Sequence, residues 1–508
     1  MGLPEALRPI PVWALWLAGV TAFRLLFGAL VPLTPEEAYH WNYAVHPDWS
    51  YYDHPPMIAW AIAAGRLLFG DTALGVRFVP ILFSVGTACV LARLARRLYG
   101  ERAAVWTIWL LMLEPIMLGA AGAGFPDSPL LFFWTLALSL AWKAIETRRG
   151  PVWIAAGASL GAALLSKYTA AFFGLGMLAY LLVSKRDRRI LLSPWPYLGA
   201  LVALIVFSPV IFWNWAHDWV SFHYQSVNRL RQADEVNLAS GIKFVGQQWL
   251  GVIPLLMPLA VVGAWRALSS ERAAERYLFW LLAPMLGFFF ILGWTRAIHL
   301  LWPLPAYLGL TVLMAGIVVR CDTSLARFYE SKRSWLLGSF AVGVVLTTCH
   351  AAFFLPYLSP IQGLYGWEKV ALQTRRLREE MPPETFVLGI GRKYTVPSQL
   401  AFHLREPANV HGKNLLGQMG LQYDFWADPR SLKGRDAVVV LEAGDRSDRA
   451  LDLLRKHFRS VDEAGEVVVP VGRMVLVRPR PLRFTLLRAR DYQPHDLASP
   501  RLFGRATD

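Results

Sequence analysis

The chain has 508 residues, 55% of them hydrophobic and 13% aromatic, with a formal net charge of +15. Apolar runs long enough to cross a hydrocarbon core of roughly 30 Å recur along most of it, which excludes an ordinary soluble domain. The positive charge would also suit nucleic acid. Its Lys and Arg residues, however, gather between the apolar runs, so the charge reads as membrane topology and no nucleic-acid partner is expected.

The first apolar run, about Val12 to Val31, is long enough to remain as a span and not a cleaved signal. An outer loop, 32–73, follows. It carries Thr34-Pro35-Glu36-Glu37-Ala38-Tyr39-His40-Trp41 and Tyr51-Tyr52-Asp53-His54-Pro55-Pro56, and no Lys or Arg lies between 32 and 56. Acids held against a bilayer are costly unless a metal, a cationic substrate or a proton transfer uses them. The segment 57–70 is short and contains Arg66, so it reads as a helix lying in the interface.

Further spans are expected at 74–92, 103–121, 129–145, 152–166, 169–184, 196–214, 245–265, 277–293, 299–319 and 335–356. With the first, that makes about eleven transmembrane helices, and up to thirteen. Every alternate loop is basic: Arg93, Arg96, Arg97 and Arg102; Lys143, Arg148 and Arg149; Lys185 to Arg189; Arg266, Arg272 and Arg276; Arg320, Arg327, Lys332 and Arg333. The positive-inside rule assigns these loops and the N-terminus to the cytoplasm. The odd number of spans then puts the C-terminal part outside.

The outer loops hold the acid-rich run, Phe125-Pro126-Asp127-Ser128-Pro129, Ser166-Lys167-Tyr168 and Trp294-Thr295-Arg296-Ala297-Ile298-His299. Asp127 has two readings, a helix cap or an active-site acid. Lys167, Arg229 and Arg296 are lone cations at three outer loops. Each could snorkel or pair locally; together they suit a lipid phosphate, with Arg77 and Arg231 as weaker members. His299 is either a hydrogen-bonded interfacial histidine or, with Asp53, the start of a divalent-metal site. Cys89, Cys321 and Cys349 show no metal spacing.

From about Pro360 the hydropathy falls and globular patterns begin, dividing the chain into a transmembrane catalytic part, 1–359, and a soluble α/β domain, 360–508. Strands are expected at 384–391 and 437–441, helices around 398–402 and 451–458, and a closing hairpin from 467–469 and 474–477. Gly389-Ile390-Gly391-Arg392-Lys393 lacks a complete phosphate-loop fingerprint and reads as a strand-to-helix turn.

Carboxylates facing cations suit transfer from a phosphate leaving group to an acceptor hydroxyl. A carboxylate takes the acceptor's proton, and cations stabilise charge on the departing phosphate. A phosphate at the membrane face implies an amphipathic leaving group, a polyprenyl phosphate. The rival readings are a transporter or flippase of lipid-linked substrates, although the acidic loop has no second copy, and a binding scaffold using the outer domain.

Pro35-Glu36-Glu37-Ala38-Tyr39-His40-Trp41, Tyr52-Asp53-His54-Pro55-Pro56, Pro126-Asp127-Ser128-Pro129-Leu130 and Leu165-Ser166-Lys167-Tyr168 resemble the bacterial protein-mannosyltransferase-like and aminoarabinose-transferase-like enzymes, which are GT-C glycosyltransferases. Ser398-Gln399-Leu400-Ala401-Phe402 and Gln422-Tyr423-Asp424-Phe425-Trp426 resemble patterns in the outer domain of the same group. The resemblance implies a polyprenyl-phosphate-sugar donor, an acceptor that is lipid A, another glycan or a protein, and a site on the outer face of the bacterial inner membrane. It implies an acidic pair that usually begins with Asp, matched here by Glu36 and Glu37; our reading makes Glu36 the acceptor's base, with Glu37 and Asp127 as orienting groups. His54 stands where aminoarabinose transferases have a donor-binding Lys. Asp53 with His299 matches a metal pair, and Tyr51 and Arg229 match donor-phosphate contacts.

Overall fold

The computed structural model describes residues 12–113, 122–228, 237–251, 257–296, 298–320, 324–331, 364–444, 447–469 and 481–494. The architecture is helical, with one small sheet near the C-terminus. Helices α1 (Val12–Leu30), α2 (Pro35–Val45), α3 (Met57–Phe69), α4 (Ala73–Tyr99) and α5 (Glu101–Leu113) form the first part. There follow α6 (Asp127–Thr147), α7 (Pro151–Leu164), α8 (Ala171–Val183) and α9 (Trp195–Ala216). The last of the bundle are α10 (Leu238–Gly251), α11 (Met257–Ser269), α12 (Ala273–Gly293), α13 (Leu304–Arg320) and α14 (Ser324–Ser331).

By length and composition α1, α4, α6, α9 and α12 can each cross a membrane. Helices α7, α8 and α13 are apolar but shorter, and α13 is buried along nearly its whole length. They coincide with expected spans, while the expected span 335–356 lies outside the described residues. The expected single span 245–265 falls on two helices, α10 and α11. Helix α3, at 13 residues, is about 20 Å long at 1.5 Å per residue, the same length as α8 and shorter than the five helices that can cross. The bundle core is built from such residues as Leu91, Trp134, Tyr180, Tyr277, Leu281 and Val312.

The C-terminal part contains α15 (Trp367–Glu379), β1 (Phe386–Ile390), α16 (Thr395–Leu404), β2 (Val410–His411), β3 (Ala437–Glu442), α17 (Ser447–His457), β4 (Phe458–Val469) and β5 (Leu482–Tyr492). The strands lie in the order β2-β1-β3-β5-β4. β1 runs parallel to both β2 and β3, and β5 is antiparallel to β3 and β4. The uninterrupted apolar runs of β1 and β3 suit central strands covered on both faces. Val387, Val438 and Val440 face α15 and α16, while Leu388, Val439 and Leu441 share the opposite core with Leu454 of α17. The expected strands at 384–391 and 437–441 and both helices therefore form. Residues 467–469 end β4, whose described partner is β5; the expected partner 474–477 lies outside the described residues.

The sheet's α16 face is not closed by the C-terminal part alone. Trp41 and Ala38 of α2 and Ile58 and Ile62 of α3 complete the same core. The Trp41 ring meets Phe402 edge-on at 5.2 Å, and Gln399 Nε2 donates to the Leu33 carbonyl at 2.8 Å. The 32–73 segment and the C-terminal sheet thus lie on one side of the bundle.

Candidate active site

Helix α2 opens with a capping box. The Glu37 N–H donates to Thr34 Oγ1 at 3.2 Å, and Thr34 N–H donates to Glu37 Oε2 at 3.0 Å, with Pro35 in the first turn. Glu37 also takes Arg77 of α4 in a fork: Nε to Oε1 and Nη2 to Oε2, both 2.6 Å. The Gly124 N–H adds a bond to Oε1 at 3.0 Å. Arg77 spends its remaining donors on the carbonyls of Gly28, Val31 and Pro32. Burial pushes the Glu37 carboxyl up, but Arg77 and the backbone donors outweigh it and hold it below the usual range. Both Glu37 oxygens are therefore committed to joining the loop to the bundle.

Its neighbour Glu36 has the opposite environment. It is half-buried and carries none of these bonds. Burial, then the negative charges of Asp127 and Asp53, raise its carboxyl to about 7, against the opposing charges of Lys167 and Lys393. Asp127 sits at the start of α6 and pairs with Lys167, whose Nζ lies 2.8 and 3.1 Å from its two oxygens. Glu36 thus lies within electrostatic reach of the Asp127–Lys167 pair and of Asp53. Two further bonds join distant segments: Met57 N–H donates to the Leu165 carbonyl, and Ser221 Oγ to the Tyr51 carbonyl.

One helical turn after Glu36 on the same face lies His40, fully buried. Its Nδ1 is 2.8 Å from the Gly124 carbonyl, so Nδ1 carries the proton and donates. Its Nε2 is buried with no hydrogen-bond partner. Burial, then the nearby His54, lower its pKa to about 3. The His40 and His54 rings are 5.4 Å apart. Ligand atoms of Glu36, His40 and His54 all lie within 4.8 Å of one another, the arrangement among the described residues that could hold a metal ion.

Asp53, expected at the metal, is held elsewhere. Its Oδ1 accepts from Tyr39 Oη at 3.0 Å and from Tyr43 Oη, and its Oδ2 is 4.0 Å from His54 Nε2. The Tyr39 hydroxyl in turn accepts from the Gln422 N–H at 3.0 Å, while Gln422 Oε1 accepts from the Tyr52 N–H. Tyr394 of the C-terminal part stacks on Tyr39 at 3.9 Å. Tyr51, expected at the donor phosphate, is fully buried against Tyr43, and its hydroxyl donates to the Tyr43 carbonyl at 2.9 Å. Arg296 is half-buried and His299 exposed on the turn after α12. Arg229 lies outside the described residues.

Sequence reasoning left His40 without a role. The four-residue spacing from Glu36 was the available signal, since residues at i and i+4 share a helix face.

Residues 53–213 match the family described as dolichyl-phosphate-mannose-protein mannosyltransferase. The chain is 28% identical over 288 residues to the lipid A galacturonosyltransferase RgtD of Rhizobium johnstonii, covering 56% of this chain and 60% of that protein. It is 30% identical over 286 residues to an undecaprenyl phosphate-alpha-4-amino-4-deoxy-L-arabinose arabinosyl transferase of Pseudomonas fluorescens, covering 53% and 50%. The matches therefore span between half and three-fifths of these relatives' lengths. The crystal structure of ArnT from Cupriavidus metallidurans bound to undecaprenyl phosphate superposes with a TM-score of 0.62 at 18% identity, over 94% of this chain and 98% of that one. The chain therefore has the fold of ArnT, and over residues 53–213 its sequence matches the mannosyltransferase family model.

Proposed function

We propose that the protein transfers a sugar from a polyprenyl-phosphate donor to an envelope acceptor at the outer face of the inner membrane. The observation that carries this reading is the Asp127–Lys167 ion pair at the start of α6, within electrostatic reach of the half-buried Glu36. An acceptor oxygen attacks the sugar's anomeric carbon, the bond from that carbon to the phosphate oxygen breaks, and its electron pair leaves with the polyprenyl phosphate. Glu36 takes the acceptor hydroxyl's proton; a carboxyl near 7 is well matched to that task. Lys167 stabilises the departing phosphate, and Asp127 aims it. Arg229 and Arg296 are assigned to the same phosphate, and Tyr51, by stacking on Tyr43, to shaping the pocket wall.

The outward orientation has a geometric basis. Helix α6 runs from Asp127 to Thr147, 21 residues or about 32 Å, so its basic end with Lys143 and Arg148 is a bilayer's thickness from the site. With those cations cytoplasmic, the first loop and the C-terminal sheet are periplasmic. The substrates printed in the relatives' names, lipid A and an undecaprenyl phosphate-linked sugar, support the same chemistry. A divalent cation, when bound, would add positive charge beside the donor phosphate, and Glu36, His40 and His54 are the residues fitted to hold it.

The test is release of polyprenyl phosphate from a labelled lipid-linked sugar by the purified full chain in detergent, with envelope lipids as acceptor. Release that depends on acceptor is expected. No release from any of several polyprenyl-linked sugars, in protein shown to be folded, would overturn the reading.

A further inference from the structure

We propose that Glu36, His40 and His54 form a transition-metal site, in place of the Asp53–His299 pair that the sequence suggests. The inference deepens the proposed transferase reading, yet metal binding is measurable without it.

His40 carries the argument. Its ring is fixed from behind by the bond from Nδ1–H to the Gly124 carbonyl, leaving Nε2 with a lone pair, no partner and no water-facing surface. Buried nitrogen acceptors are rarely left so. A histidine that donates one nitrogen to a backbone carbonyl and presents the other is the arrangement that orients metal ligands. The carbonyl cannot drift away, because Gly124 is wedged in place: a Cβ there would lie 2.8 Å from Val76 Cγ1 and 3.4 Å from Glu37 Cγ. Its N–H is meanwhile tied to Glu37. The closed Glu37–Arg77 network therefore positions the open face of the next turn.

The spacing fits an ion. Metal–nitrogen and metal–oxygen bonds of about 2.0–2.1 Å place tetrahedral ligand atoms about 3.3 Å apart. Atoms within 4.8 Å reach that by side-chain rotation, since His54 is partly exposed and Glu36 half-buried. Two imidazoles and a carboxylate select zinc, manganese, iron(II) or cobalt over magnesium, which prefers oxygen. Three protein ligands leave a coordination position open, as catalytic sites do. Asp53 is a poor competitor because Tyr39 and Tyr43 hold one of its oxygens. With one Glu36 oxygen as ligand, the other stays available for the acceptor's proton.

The experiment is metal stoichiometry by plasma mass spectrometry and cobalt(II) visible absorption on the purified full chain, stripped with chelator and reloaded with zinc or cobalt. One ion per chain and a cobalt band are expected. His40→Gln and His54→Ala should each weaken binding at least tenfold with an unchanged melting temperature, whereas Asp53→Asn and His299→Ala should keep the ion. No stoichiometric ion in wild type, or loss in the Asp53 and His299 variants but not the His40 variant, would overturn the proposal. Running the donor-release assay on the same samples separates the two ideas: an ion without release sinks the transferase reading and leaves the site, while release without an ion does the reverse.

Discussion

The two ends of the helical bundle treat buried charge differently. At the basic end, Asp187 is fully buried, yet Arg148 Nη2 lies 2.6 Å from one oxygen and Tyr180 Oη donates to the other at 2.6 Å. Glu275 is likewise matched by Arg320 at 2.7 Å and Arg272 at 3.5 Å. At the opposite end, Glu37 is as completely matched, by Arg77. One residue away, Glu36 has no ion pair among those described, and the His40 nitrogen above it has no partner. A matched buried charge holds structure together. An unmatched one is costly to keep, which makes it the better marker of chemistry than charge density.

The largest effect that could break this comparison is at Glu36. Glu36→Gln should reduce turnover roughly 10²–10⁴-fold, the range for a positioned general base, with donor binding retained. The wild-type rate should rise with pH through about 7 in metal-stripped protein, because the base acts only when deprotonated, and should break at lower pH once a cation is bound. Full turnover of the Gln variant at neutral pH would remove Glu36 from the chemistry.

Next comes the matched pair. Glu37→Gln leaves Arg77 buried and uncompensated, and should cost about 3–5 kcal/mol in unfolding measurements. Asp187→Asn at the other end should cost less, about 1–3 kcal/mol, because the Arg148 side chain is 46% exposed and water can take over its charge. Equal losses would mean that burial of the partner does not decide the penalty.

The smallest expected change has the opposite sign. Asp424 is buried in the C-terminal part, and burial raises its carboxyl to about 7, against the Gly420 N–H and the charge of Lys413. Its folded value lies above its unfolded one, so its contribution is present at acid pH and is lost as pH rises from about 4 through 7. Asp424→Asn keeps an acceptor for Gly420 and should therefore raise stability at pH 8 by on the order of 1–2 kcal/mol, with little change at pH 4. A melting temperature that falls at pH 8 would show that the charged form is the one the fold prefers.

Much of this was legible in the sequence because it is local. Hydropathy placed the bundle helices, the apolar run Ala437-Val438-Val439-Val440-Leu441 announced a central strand, and the acids and aromatics of the first loop marked the site. The partnerships were not legible. Lys167 reads as a lone cation until Asp127, 40 residues earlier, is found beside it; Arg77 reads as a spare phosphate ligand until Glu37 takes it, also 40 residues away. Such pairings are set by how helices pack, which no short window of sequence records. His40 is the exception, since its helical spacing from Glu36 was readable and only the Gly124 carbonyl behind it was not. The docking of the C-terminal sheet onto α2 and α3 was hidden for the same reason: its apolar contacts come from two segments that each look complete alone.

That shared core has a consequence for how the protein is made. The backbone of Tyr52 is bonded to Gln422, 370 residues later, and at about 5–20 residues per second a ribosome needs roughly 20–75 s to cover that distance. For that interval the tyrosine-rich first loop stands without its cover. A chain cut short before the sheet would form its early helices and still leave this loop unfinished, a ready target for proteases.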